Sequence, residues 1–268
     1  MVGDLVPIEA VFTAPPLTIA LLAVVALLAG VVDAIGGGGG LLTVPSLLAA
    51  GLPTHLALGT NKGCSTWGTA AATFTFARAG KLGLRRGAIG FLGGATGAIA
   101  GAKAQLAFAP DALKPIVLVL LVVAAVTLAV YRPKARAPLP SGESELEDSV
   151  LAPLAIALVL GAYDGFFGPG TGTFVIVAHA TFLGAPLSMA TADAKAVNLG
   201  SNVASLTTFA LRGTVLWAIA LPMAAGNILG NVIGARLAVR GGDRTVRYVV
   251  IAVSLALVAK LAWDVVGH

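Results

Sequence analysis

The sequence predicts an all-α polytopic membrane protein built from two inverted repeats of about 130 residues. Three observations support this fold class. The chain is 57% hydrophobic and 11% charged, whereas soluble domains are about 25% charged. Long apolar runs recur at the length that a membrane-spanning helix needs. The second half of the sequence also repeats the first at a nearly constant offset.

The apolar runs give the expected elements in chain order. Eight runs are close to the length of about 20 residues that crosses the hydrocarbon. They cover roughly 17–35, 63–77, 88–107, 115–131, 150–167, 196–211, 215–235 and 248–266. Two further runs, 41–52 and 173–183, are too short to cross, and we expect broken helices near the membrane midplane. No cleavage pattern follows the first run, which we therefore expect to remain in the mature protein.

The internal repeat divides the chain. The alignment of the two halves that places Lys62 on Lys195 also places the GxxxGxxxG run at 93–101 on that at 226–234. We call this register the repeat alignment. A slightly smaller offset places Asp33 on Asp164. We therefore divide the chain into a first transmembrane repeat, a charged linker and a second transmembrane repeat, at residues 1–131, 132–149 and 150–268.

Charge in the loops predicts opposite orientations for the two repeats. The loop 78–87 contains four basic residues, whereas its counterpart 211–220 contains Arg212 alone. In the following pair of loops, 235–247 is the more basic one. Because basic loops lie in the cytoplasm, this alternation indicates inversion. Three basic residues in the linker (Arg132, Lys134 and Arg136) place it in the cytoplasm and both termini outside.

Two polar stretches interrupt the apolar sequence at matching positions. The first, from Gly30 to Ser65, contains five consecutive glycines together with Asp33 and Lys62. A break at membrane depth is tolerated only where it is buried in protein or lines a polar cavity. Backbone expected to line such a cavity comprises Gly37, Gly38, Gly39, Gly168, Gly170 and Thr171.

The segments G-T-N-K-G-C-S and A-D-A-K-A-V-N-L-G-S-N follow the short runs and contain the matched lysines. We read each as the start of a long helix, where free N–H groups and the positive helix end favour an anion. The predicted binding residues are Thr60, Asn61, Lys62, Cys64, Ser65, Asp193, Lys195, Asn198, Ser201 and Asn202. Together they predict a receptor for a small anion.

Each of these assignments has an alternative. The lysines either bind the anion or snorkel to lipid headgroups. Asp33 and Asp164, like Asp193, either supply counter-charge, relay protons or cap helices. Cys64 is either a buried structural thiol or a substrate contact. The GxxxGxxxG runs either pack helices together, within one chain or in a homodimer, or contact the substrate directly.

Several functions are disfavoured by what the sequence lacks. One cysteine and three scattered histidines provide no metal-ligand spacing, and we expect no bound metal. Neither glycine-rich stretch has a nucleotide-binding pattern, so we expect no cofactor. The net charge of +5 comes from loop residues that orient the protein in the lipid bilayer, and no nucleic-acid partner is expected.

The sequence resembles the TauE/SafE sulfite exporter family, also called the 4-toluene sulfonate uptake permease family. The resemblance is in the glycine-rich turn, the proline-bearing short segment and the G-T-N-K motif, which recurs in the second half as A-D-A-K with N-x-x-S-N. The resemblance extends from Gly30 to Val265. It implies a multi-pass transporter of the cell inner membrane that moves small sulfur-containing anions such as sulfite or organosulfonates.

We therefore expect a secondary transporter, not an enzyme, that exports such an anion through a central site formed by both repeats. No catalytic residues are assigned. The alternatives are an anion channel, an uptake permease for another small anion and, less favoured, an integral-membrane enzyme that uses a lysine or cysteine nucleophile.

Overall fold

A computed structural model describes the backbone of residues 15–130 and 150–266, and the side chains of those ranges except at 110, 125–130 and 243–266. The described residues form helices and no strands. The helices are α1 (Pro16–Gly36), α2 (Gly40–Ala49), α3 (Thr54–Arg78), α4 (Leu84–Ala107), α5 (Pro110–Val130), α6 (Leu151–Phe166), α7 (Thr171–Phe182), α8 (Leu187–Leu211) and α9 (Trp217–Val266). The predicted linker 132–149 lies outside the described residues.

The two predicted short segments are confirmed. Helix α2 has 10 residues and α7 has 12. Helix α1 ends at Gly36, and the next residue, Gly37, has a φ of 78°. This left-handed conformation strongly favours glycine. Glycine in the chain therefore allows the turn that separates α1 from α2.

The predicted starts of α3 and α8 are wrong. The sequence placed them near 63 and 196, whereas the helices begin at Thr54 and Leu187. The first half of each of these two helices contains polar residues that interrupt the apolar run, and the helix start predicted from the sequence is therefore too late in the chain. Each helix directly follows a proline, Pro53 or Pro186, whose ring fixes φ near the helical value. The matched lysines therefore lie inside helices.

The predicted runs 215–235 and 248–266 form parts of a single element, α9, which is interrupted at Gly242 (φ 57°, ψ −153°). Its first part corresponds to α4 in the repeat alignment. Its second part occupies the position that α5 has in the first half. The four long segments predicted in each half are thus all helical.

The surface and the interior have the polarity expected of a membrane protein. Helix α1 exposes Leu17, Leu21, Val24 and Leu28, each by more than half of its surface. The interior in turn contains lysine, aspartate, asparagine and threonine. Soluble proteins rarely expose large contiguous apolar patches. By length and composition, two of the described helical segments could cross a bilayer, Pro16–Gly36 and Trp217–Gly242.

The GxxxGxxxG runs pack against the first helix of the opposite half. A Cβ on Gly97 of α4 would lie 2.1 Å from the Leu158 carbonyl oxygen of α6. A Cβ on its counterpart, Gly230 of α9, would lie 2.0 Å from the Leu27 carbonyl oxygen of α1. Glycine therefore permits backbone approach that a side chain would prevent. Both runs therefore pack helices together within the chain, which is one of the roles expected from the sequence.

Helices α3 and α8 pack against each other and run antiparallel. The Asn202 amide donates to the Thr69 hydroxyl at 3.2 Å, and the Thr73 hydroxyl donates to the Lys195 carbonyl at 3.1 Å. Higher numbers in α3 therefore meet lower numbers in α8. Thr69 and Asn202 are themselves equivalent in the repeat alignment. The two halves thus meet through equivalent helices.

Candidate functional site

The two glycine-rich breaks contact each other inside the protein. A Cβ on Gly37 would lie 2.3 Å from the Gly172 carbonyl carbon, so only glycine fits there. The Thr173 hydroxyl donates a hydrogen bond to the Gly36 carbonyl at the end of α1. The starts of α2 and α7 are thereby brought to one place. Backbone that the bilayer could not satisfy is buried in protein, as breaks at membrane depth require.

The matched lysines form ion pairs with the matched aspartates of the opposite half. Lys62 Nζ lies 2.9 Å from Asp164 Oδ1, and Lys195 Nζ lies 2.8 Å from Asp33 Oδ2. The lysine side chains are 3% and 0% exposed. Because both ammonium groups are buried, the snorkelling alternative does not hold. The lysine of each half is neutralised by a carboxylate from the other.

A polar network holds the Lys62 pair in place. Lys62 Nζ also donates to Asn202 Oδ1 at 2.8 Å, while the Ser201 hydroxyl donates to Asp164. The Thr66 hydroxyl donates to the Lys62 backbone carbonyl at 2.6 Å. Burying a charge is costly unless it is paired and hydrogen-bonded. These contacts meet both conditions for Lys62 and Asp164.

A polar cavity lies between the two breaks. It is open on one side, and the volume that the centre of a water molecule can occupy is about 30 Å³. Asp33, Lys62 and Asp164 lie on its wall. Both Asn61 and Thr43 line it as well, and the Thr43 hydroxyl donates to Asn61 Oδ1 at 2.6 Å. The cavity thus contains one lysine ammonium, two carboxylates and several neutral hydrogen-bonding groups.

Two buried polar atoms on the cavity wall have no hydrogen-bond partner, Ser65 Oγ and Asn198 Oδ1. The two residues are equivalent in the repeat alignment. Buried polar groups are satisfied by protein, water or a ligand in the great majority of cases. A hydroxyl can donate, and the two ends of an amide are interchangeable by rotation. Both residues can therefore donate hydrogen bonds to an anion in the cavity.

The cavity brings together more than half of the residues predicted from sequence. Those on its wall are Asp33, Gly37, Gly39, Asn61, Lys62, Ser65, Asp164, Gly168, Asn198 and Asn202. They come from α1, α3, α6, α8 and the two breaks. Both halves of the chain therefore contribute to one site.

Other predicted site residues do not line this cavity. The Thr60 hydroxyl accepts from the Leu216 N–H, and Cys64 packs in an apolar cluster with Leu22 and Met223. Lys195 and Ser201 lie behind the wall, where they contact Asp33 and Asp164. Three backbone positions in the breaks are also absent from the wall: Gly38, Gly170 and Thr171.

Asp193 lies in a separate cluster. Its carboxylate is 3.4 Å from Arg86 Nε and 3.6 Å from His179 Nδ1. Both ring nitrogens of His179 are buried and without a hydrogen-bond partner. Asp193 lies two positions from Lys195 in a helix, where neighbours at that spacing do not share a face. This explains why the A-D-A-K segment sends its two charged side chains to different places.

Five wall residues were not predicted from sequence: Gly40, Thr43, Thr69, Gly172 and Asn227. One signal could have found Thr69, because it matches the predicted Asn202 in the repeat alignment. Gly40 and Gly172 belong to the glycine-rich stretches that were singled out. Asn227 lies within the GxxxGxxxG run at 226–234, and nothing local distinguishes it from scaffold.

The expectation that the matched lysines lie at helix starts is wrong. Lys62 and Lys195 lie in the third turns of α3 and α8. The helix starts next to the cavity are those of α2 and α7, since Gly40 and Gly172 line its wall. The first N–H groups of a helix lack intrahelical partners. Any helix-end contribution to anion binding would therefore come from the short helices.

In the part of the chain that the structure describes, no group of three or more His, Cys, Asp or Glu side chains could hold a metal ion. The cavity wall offers lysine, amide, hydroxyl and carboxylate groups. This set suits a small polar or anionic molecule that is held by hydrogen bonds and charge.

Comparison with known proteins identifies the family. The profile described as "Sulfite exporter TauE/SafE" matches residues 22–261. This chain belongs to the TauE/SafE sulfite exporter family. It is 36% identical over 264 residues to "Probable membrane transporter protein YfcA" of Escherichia coli (strain K12), covering 97% of this chain and 95% of that protein.

Other TauE/SafE relatives agree in length and description. "Probable membrane transporter protein ORF9" of Sinorhizobium sp is 36% identical over 250 residues, covering 92% of this chain and 93% of the relative. A "Probable membrane transporter protein" of Haemophilus influenzae is 36% identical over 249 residues, covering 92% and 95% respectively. No solved structure matches the chain. The resemblance to TauE/SafE is thus confirmed, and the protein is a membrane transporter of that family.

Proposed function

We propose that this TauE/SafE protein is an inner-membrane secondary transporter that exports a small sulfur-containing anion, sulfite or an organosulfonate. The anion binds in the cavity between the two glycine-rich breaks. Wall residues from both halves contact it, with Lys62 as the charged partner and Ser65, Asn198 and Asn202 as neutral partners. The linker 132–149 lies in the cytoplasm.

The observation that carries this proposal is the pair of unsatisfied polar atoms beside a buried ammonium. Ser65 Oγ and Asn198 Oδ1 lie on the same wall as Lys62 Nζ. Unit charges about 4 Å apart attract by about 4 kcal/mol at an effective dielectric near 20, against about 1 kcal/mol in water. The attraction between Lys62 and an anion in the cavity is therefore stronger than that of a lysine on the surface, and the neighbouring carboxylates offset part of it.

The size and chemistry of the cavity favour a small oxyanion. Its partners are single donors from several directions, not the bidentate fork of an arginine, which suits planar carboxylates. A sulfite or sulfonate group presents three oxygens and can accept from several donors at once. The sulfur class itself comes from the family description "Sulfite exporter TauE/SafE". The names of the three relatives go no further than membrane transport.

We further propose that the two halves are inverted repeats. Three features support this arrangement: the antiparallel crossing of α3 and α8, the reciprocal ion pairs and the matched glycine contacts of α4 and α9. Transporters built in this way bind cargo at the repeat interface and expose it to the two sides in turn. A site shared by both halves is therefore in the right place for alternating access.

The test is sulfite flux into liposomes that contain the purified protein. We expect the parental chain to move sulfite and Lys62→Ala to lose at least nine-tenths of the rate. Lys103→Ala is the matched control, because Lys103 is exposed on α4 away from the cavity. Its rate should equal the parental rate.

Removing Lys62 alone leaves Asp164 buried without its cation, and such a loss costs about 3–5 kcal/mol of stability. The double variant Lys62→Ala with Asp164→Asn removes both charges and keeps the Ser201 contact. We expect it to fold and still fail to move sulfite. Flux at the parental rate in a folded double variant would place the anion site elsewhere.

A further inference from the structure

The charged groups at the cavity sum to zero. Lys62 and Lys195 contribute two positive charges, while Asp33 and Asp164 contribute two negative charges at 2.8–2.9 Å from them. Lys62, Asp33 and Asp164 line the cavity and Lys195 lies behind Asp33, and no other charged group among the described residues is on the wall. An anion that entered this arrangement would add an uncompensated negative charge beside two carboxylates. Its attraction to Lys62 would be offset by repulsion from Asp33 and Asp164.

We propose that Asp33 takes up one proton when the anion binds, so that the protein couples anion movement to proton movement. This inference rests on the proposed function. The proton comes from water at the open side of the cavity and binds a carboxylate oxygen of Asp33. The ion pair with Lys195 becomes a hydrogen bond between an ammonium and a neutral acid. The four groups Lys62, Lys195, Asp33 and Asp164 then have a net charge of +1, which a monovalent anion balances.

Asp33 is better placed for this role than Asp164. Asp164 contacts Lys62 and accepts from the Ser201 hydroxyl, and its side chain is 6% exposed. Asp33 is 15% exposed, and Lys195 is its side-chain partner among the described contacts. A proton from the cavity therefore reaches Asp33 more readily. Lys195, at 0% exposure, lies behind Asp33 and off the cavity wall.

The charged, titratable and polar groups around Asp33 come from four helices. Helix α8 presents Lys195, and α3 presents Lys62 across the cavity and the Cys64 thiol, which is close enough to interact with the Asp33 charge. Helix α6 presents Asp164, and α9 presents neutral Asn227.

The two short helices add no titratable group near Asp33. Helix α2 contains no charged residue, and His179, the titratable residue of α7, pairs with Asp193 instead. The anion and the proton are therefore the two charges that can change at this site.

The test measures sulfite binding to the full-length protein in detergent micelles between pH 4.5 and 8.5. Asp33→Asn keeps the shape and removes the titrating charge. The measured quantity is the ratio of parental affinity to Asp33→Asn affinity. We expect this ratio to fall by up to tenfold for each unit of rising pH once Asp33 is ionised in the unbound protein, because binding then requires the uptake of one proton. The titration of sulfite itself cancels in this ratio. Asp111→Asn, an exposed aspartate at the start of α5, should follow the parental protein at every pH.

A ratio that does not change with pH overturns the proton coupling and leaves the anion site standing. If the parental protein binds no sulfite at any pH, the proposed function fails and this inference with it. Asp33→Asn leaves Lys195 buried without its anion, so that variant is paired with Asp33→Asn/Lys195→Gln. The double variant restores zero net charge without a proton site. At high pH it should bind sulfite as weakly as the parental protein does, and its affinity relative to Asp33→Asn should not change with pH. If this ratio rises on acidification as much as the parental ratio does, the inference is also overturned.

Discussion

The Lys195 ammonium lies 2.8 Å from the Asp33 carboxylate, although 162 positions separate the two residues in the chain. Lys62 and Asp164 form the equivalent contact at 2.9 Å. Neither half of the chain supplies both members of a pair. Each half therefore needs the other to bury its lysine, which links folding of the two halves to formation of the cavity.

The Lys195–Asp33 pair should behave as a unit in stability measurements. We expect Lys195→Ala and Asp33→Ala each to lower the free energy of unfolding by about 3–5 kcal/mol, because each leaves a buried charge unpaired. The double variant should lose much less than the sum. Unfolding of the purified variants in detergent measures all three values. Additive losses would show that the two residues do not interact in the folded protein.

Enlarging a glycine at the α4–α6 contact should destabilise the protein. In Gly97→Leu the new side chain meets the Leu158 backbone carbonyl, which cannot move without shifting α6. We expect a loss of about 1–3 kcal/mol, as overpacking typically causes. Ala104→Leu on an exposed face of the same helix is the control and should unfold like the parental protein. Gly230→Leu, at the equivalent contact with α1, should repeat the Gly97 result, and a stable Gly97→Leu protein would contradict the close contact.

Asp193→Asn should preserve sulfite affinity within about twofold, because Asp193 lies off the cavity wall. The change weakens the hydrogen bond from Arg86, and hydrogen bonds to charged groups contribute about 1.5–3 kcal/mol. A lower unfolding midpoint with unchanged binding is therefore the expected pair of results. A tenfold loss of sulfite affinity in the folded variant would show that Asp193 takes part in binding.

Cys64 should react slowly with a water-soluble maleimide in the native protein. It is fully buried in an apolar cluster and is the single cysteine of the chain, so labelling has one source. Denaturation in detergent should give complete labelling within the same time. Rapid labelling of the native protein would show that the thiol reaches water in a conformation the protein visits readily.

Exposed positions that are equivalent in the two halves should face opposite sides of the membrane. Ala79→Cys and Arg212→Cys follow α3 and α8 at equivalent positions of the repeat alignment, and both positions are exposed. In a Cys64→Ala background, an impermeant thiol reagent added to intact cells should label Arg212→Cys and spare Ala79→Cys. Labelling of both from the same side would exclude the inverted arrangement.

Features that depend on composition and local pattern could be predicted from the sequence. Glycine-rich stretches predicted both helix breaks, and the internal repeat predicted that Lys62 and Lys195 are equivalent. The extents of α3 and α8 were missed because a helix that faces a polar cavity carries polar residues. An apolar-run criterion therefore ends such a helix too early.

The pairing of the charged side chains became known from the three-dimensional structure. Lys62 is neutralised by Asp164, not by Asp33, which is nearer in the chain, and Asn227 reaches the cavity from a helix that otherwise packs as scaffold. Asp193 and Lys195, two positions apart, point to different clusters. No local pattern encodes these partners, because they depend on how helices from opposite halves cross. The positions of the charged groups along the chain thus follow from sequence, and their pairing follows from the packing of one half against the other.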